Sequence, residues 1–131
     1  MRKVTLVTIF ILIAVLLMAC GTGASAPAQA TTAKPVNIAV STNPNPAVMG
    51  DVELIFTITD ANGNPIEGAT VDISADHIDM TGMTMSGVAT EQGGGRYAIK
   101  ANFSMSGNWK LAVSVRKDGL NYKEDIAIKI Q

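Results

Sequence analysis

The sequence holds one cysteine, Cys20, and one histidine, His77, in 131 residues. A single cysteine excludes an internal disulfide and any site built from several thiolates. A single histidine with no second cysteine or serine partner in a recognisable arrangement leaves little for nucleophilic or acid-base catalysis, so no enzyme is expected. Aromatic residues make up 5% of the chain, and a core must therefore come mostly from aliphatic side chains. Charge is equally sparse: ten basic against eleven acidic side chains provide no basic surface for nucleic acid. The one glycine-rich stretch, "QGGG" at Gln92 to Gly95, has no phosphate-loop lysine and precedes a strand pattern, which makes it a hairpin turn.

What is present is organised in three parts. Arg2 and Lys3 open the chain, an apolar run extends from Val4 to Met18, and Ala19 and Cys20 follow. A basic start, a short apolar stretch and a small residue before the cut define a signal peptide over residues 1–19. The run is shorter than the ~20 residues a membrane span prefers. "LMAC", Leu17 to Cys20, resembles the lipobox of bacterial prolipoproteins, which implies lipid attachment at Cys20 and an extracytoplasmic domain anchored to the cell membrane. Residues 20–35 are then the lipidated cysteine and a linker. Its stretch "GTGASAPAQATTAK" is small and polar, with a random-coil reach of roughly 20 Å. Without Arg2 and Lys3, eight basic side chains face eleven acidic ones, a net of −3.

Residues 36–131 read as one domain. Val52, Leu54, Phe56 and Ile58 alternate with Glu53, Thr57 and Thr59; Val71, Ile73 and Ala75 alternate with Asp72, Ser74 and Asp76. The same period of two runs through Tyr97 to Phe103, Trp109 to Arg116 and Ile126 to Ile130. With an opening strand near Val36 to Ser41 and a weaker one from Met83 to Thr90, the count is about seven. No helix is expected, and the fold class is all-β, an immunoglobulin-like antiparallel β-sandwich. Antiparallel succession gathers the loops after strands one, three and five at one pole: the loop with Met49, the stretch from His77 to Met83, and the turn with Met105. The N-terminus lies at the other pole.

Five methionines remain after the signal segment, and Met80, Met83 and Met85 fall within six residues. Period-two counting turns His77 and Met105 inward at the loop pole. Thioether sulfur is a soft, uncharged ligand that suits Cu(I), and imidazole binds copper in either oxidation state. Thioethers also need no deprotonation and survive where a thiolate is at risk. His77, Met80, Met83, Met85 and Met105 are therefore the candidate metal ligands, with copper as Cu(I) the expected cofactor. For Met85, filling a gap in the core is an equal alternative. Trp109 reads chiefly as a core anchor beside this site.

The order "DANGNPIEGATVDIS", "DMTGMTM" and "GGGRYAIKANFSMSGNWKLAVSV" resembles the YtkA-like domain family, related to FixH-like proteins. The resemblance spans about Val36 to Ile130. It implies a small extracytoplasmic sandwich tied to copper handling and cytochrome oxidase assembly, with metal-associated positions at Met80, Met83, Met85 and Met105. Thr81 stands where the family often has proline, and Met85 where it often has histidine. The implied partners are the membrane, through Cys20, and a respiratory oxidase subunit or another copper carrier. A different class of function, a non-metal immunoglobulin-like binding or assembly module, is the alternative. An exposed apolar pole with methionines buried beneath it would favour the assembly module without metal.

Overall fold

Alternating apolar and polar residues leave a strand with one dry face, and two such faces must cover each other. The computed structural model describes residues 34–131, so the signal segment, Cys20 and the linker up to residue 33 lie outside the described residues. Eight strands are formed: β1 (Val36–Asn43), β2 (Gly50–Asp60), β3 (Thr70–His77), β4 (Thr84–Val88), β5 (Thr90–Gly93), β6 (Arg96–Phe103), β7 (Gly107–Lys117) and β8 (Leu120–Ile130). They build two antiparallel sheets, ordered β1-β2-β6-β5 and β4-β3-β7-β8. The inward rows meet in one core, in which Val52, Leu54, Phe56, Ile58, Tyr97 and Phe103 of the first sheet and Val71, Ile73, Trp109, Leu111, Val113 and Val115 of the second are buried. The expected all-β sandwich is the observed one.

Two details differ from the sequence reading. The weak strand expected from Met83 to Thr90 is two strands in different sheets, β4 and β5, separated by Ala89. Ala89 is buried, and its N–H donates to the Val71 carbonyl at 2.8 Å. A small side chain at that point lets the chain cross from one sheet to the other. The last strand is also longer than Ile126 to Ile130. β7 and β8 are joined by Asp118-Gly119, both with positive φ (43° and 82°), which is the two-residue turn that matches strand twist. The hairpin then pairs without interruption from Lys117↔Leu120 to Gly107↔Ile130.

Register fixes the poles. Gly50 pairs with Phe103, His77 with Trp109 and Gly107 with Ile130. The ends of β1, β3, β6 and β8 therefore share one pole, while Val36, paired with Asp60, marks the other. At the loop pole, Met49 N–H donates to the Gln131 carbonyl at 3.0 Å, and Gln131 N–H to the Ala47 carbonyl at 2.9 Å. These bonds stitch the β1–β2 loop of one sheet to the end of β8 in the other.

Candidate metal centre

β3 ends at the last inward position of its row with His77, which is only 7% exposed. Its backbone N–H donates to the Met83 carbonyl at 3.2 Å, which closes a five-residue loop from Ile78 to Gly82. Gly82 takes φ 86°, a conformation open to glycine at no steric cost. Across the pole, the short turn Ser104 to Ser106 joins β6 to β7. The two segments are held side by side: Ile78 N–H donates to the Asn108 carbonyl at 2.9 Å, and His77 Nε2 lies 3.1 Å from the Ser106 carbonyl. The other ring nitrogen, Nδ1, accepts from Asp79 N–H at 3.2 Å.

Trp109 completes the arrangement. Its indole meets the His77 ring edge-on at 5.0 Å and Phe103 edge-on at 5.0 Å, and its Nε1–H donates to the Met105 carbonyl at 3.2 Å. It is thus the core anchor expected from alternation and also a direct neighbour of the site. Gly107 presses on the other side of the imidazole, where an added Cβ would come within 2.8 Å of Nε2. The sequence reading missed these contacts. A glycine two residues before an inward tryptophan was the available sign of a close approach.

The candidate ligands fall into two groups. Met80 lies exposed in the β3–β4 loop, and Met83 and Met105 are half-buried against the core. These three sit on the two segments that His77 ties together. Met85 is set apart. It pairs with Ala75 in the β3–β4 ladder and lines an apolar cleft of about 170 Å³ with Leu54, Ile73, Ile99 and Ala101, which none of the other four candidates borders. Of the carboxylates beside the loop, Asp76 accepts from the Thr84 hydroxyl at 2.5 Å. Among the described residues no three His, Cys, Asp or Glu side chains come together as a metal cluster. Met80, Met83 and Met105 bring thioether sulfur to this pole, a soft donor of the kind that suits Cu(I) rather than Ca²⁺ or Mg²⁺.

The YtkA-like family model matches residues 30–114, from before β1 to within β7. The chain belongs to the YtkA-like family. The matched span of this YtkA-like chain contains the β3–β4 loop, the β6–β7 turn and all five candidate ligands. Among solved structures, it is similar to the PmoD soluble domain from Methylocystis sp. ATCC 49242 (Rockwell), at 14% identity and a TM-score of 0.49, over 73% of this chain and 90% of that one. No curated protein matches the chain.

Proposed function

We propose that this YtkA-like protein is an extracytoplasmic copper carrier that holds Cu(I) at its loop pole through the thioethers of Met80, Met83 and Met105. The observation that carries this reading is the fastening of the β3–β4 loop to the β6–β7 turn by backbone and imidazole hydrogen bonds, because it keeps the methionine-bearing segments adjacent before any ion arrives. Bound copper would supply a redox-capable ion for transfer, and the chain's part is to hold it. Met80, exposed at the tip, offers the first sulfur, and the half-buried Met83 and Met105 offer the others. Thioethers leave without taking up a proton, so the ion can pass to a stronger ligand set by exchange alone. Anchoring through Cys20, and delivery to a respiratory oxidase subunit or a further copper carrier, are the roles that the family resemblance implies. Met85, on its own cleft, is a reserve donor at most.

The test is a Cu(I) titration against a competing chelator. The Met80→Ala/Met83→Ala double variant should bind more than about 100-fold more weakly than the parent, a loss beyond that of disturbing a ligand's support. Equal affinity would end the ligand assignment.

A second reading has its own observation. Among the described residues, four of the five large exposed apolar side chains occupy the loop pole: Val48 (41%), Met49 (56%), Ile78 (56%) and Met80 (45%). Methionine-rich apolar surfaces suit adaptable protein contacts, as an assembly module that binds no metal would require. The readings separate on Val48→Ser/Ile78→Ser, which leaves Cu(I) affinity intact if the pole is a metal site and removes partner capture if it is a docking face.

A further inference from the structure

We infer that His77 positions the thioether site and withholds its imidazole from the metal, so that the pole accepts soft monovalent ions and refuses Zn(II) and Cu(II). This inference rests on the reading of the pole as a Cu(I) site.

A neutral imidazole has one nitrogen that accepts and one that donates. Nδ1 of His77 accepts from Asp79 N–H, so the proton belongs on Nε2, where it meets the Ser106 carbonyl. The network thereby assigns the tautomer and uses both nitrogens. An ion at Nδ1 must displace the Asp79 amide, and an ion at Nε2 must displace the proton and break the Ser106 bond, on a side where Gly107 lies so close that a Cβ there would come within 2.8 Å. Swinging the imidazole outward would break both bonds and its edge contact with the Trp109 indole.

The two bonds that block ligation also place the donors. Asp79 precedes Met80, and Ser106 follows Met105. One ring therefore fixes the backbone next to a sulfur on each segment. The soft donors that remain for an incoming ion are the thioethers, beside the hard carboxylates of Asp76 and Asp79. Imidazole is the nitrogen donor that Zn(II) and Cu(II) would use, and two carboxylates without it, one already bonded to Thr84, make a poor site for either ion.

The test follows the full-length chain in detergent micelles by NMR, with ¹⁵N-labelled histidine and ¹³C-methyl methionine, using Ag(I) as a redox-inert stand-in for Cu(I). Ag(I) should move the methyls of Met80, Met83 and Met105 while His77 keeps its Nε2–H tautomer and both ring-nitrogen shifts. Zn(II) should move neither set. Methyl shifts accompanied by a coordination shift or proton loss on a His77 nitrogen would overturn the inference and leave the thioether site standing. A response of His77 to Zn(II) would overturn it too. If Ag(I) moved no methyl at all, the metal reading itself would fall and this inference with it. His77→Phe keeps an aromatic ring against Trp109 but makes neither hydrogen bond. With a native methyl spectrum, it should still bind Ag(I), about tenfold or more weakly. Affinity equal to the parent in that folded variant would remove the positioning role.

Discussion

Single side chains in this sandwich do more than fill it. Tyr97 is buried in the core, yet its hydroxyl donates to the Ile66 carbonyl at 2.8 Å and accepts from Ala69 N–H at 3.1 Å, pinning the long β2–β3 connection. Tyr97→Phe strands two partly buried backbone groups and should cost about 1–3 kcal/mol in a urea melt. Burial pushes the Tyr97 hydroxyl above its ordinary value of 10.0. Its native state thus prefers the protonated form, and that stability is fully present below pH 10 and lost as pH rises toward the folded value. The alkaline fall in the melt should therefore shrink in the phenylalanine variant. Asp60 has the opposite sign. Its carboxylate accepts from the Asn64 side chain and from the backbone of Asn64 and Asn62, and these bonds, led by the Asn64 side chain, hold it below the ordinary 3.8. The turn's stability is present above 3.8 and lost as pH falls through the lower folded value. The Asn62 and Asn64 amide shifts should titrate with a midpoint under 3.8, and a midpoint at or above it would contradict the hydrogen bonds.

At the scale of elements, the β7–β8 hairpin is the most regular feature and depends on its turn. Gly119 has φ 82° and open space around it, so a methyl there meets backbone strain rather than a clash. Gly119→Ala should destabilise by about 1 kcal/mol or slightly more, read from the urea midpoint. The same turn shows how legibility varies along the chain. Strands with a buried row and an outward polar row, β2, β3 and β7, were readable because period two is visible wherever one face is dry. The first half of β8 was not, since Leu120, Tyr122 and Glu124 are only half-buried on an edge strand and Glu124 puts a charge into the inward row. There the Asp118-Gly119 pair was the sign available in the sequence, and it went unread. The passage from β4 to β5 was hidden for a different reason. A change of sheet needs only one small buried residue, Ala89, and alternation looks the same on either side of it.

For the whole molecule, strand directions sufficed to place the loops with Met49, Met80 and Met105 at one end, since antiparallel order follows from the count of crossings. Which side chains meet there was less readable. Contacts such as Gly107 against His77 join residues thirty positions apart, and only the pairing of β3 with β7 sets their register. The uneven exposure of the methionines gives a molecule-wide prediction. Dilute hydrogen peroxide should convert Met49 and Met80 to sulfoxides before Met83, Met85 and Met105, as followed by peptide mass spectrometry. Prior loading with Ag(I) should slow Met80 and leave Met49 unchanged. Protection of both alike would argue for general shielding of the pole rather than ligation.

The contact of Trp109 with His77 has a practical consequence. The chain has one tryptophan, and its indole lies at the junction of core and loop pole. Emission excited at the red edge, where the two tyrosines do not absorb, therefore reports from this spot alone, and its colour and intensity should register a disturbance of the neighbouring ring without any attached dye.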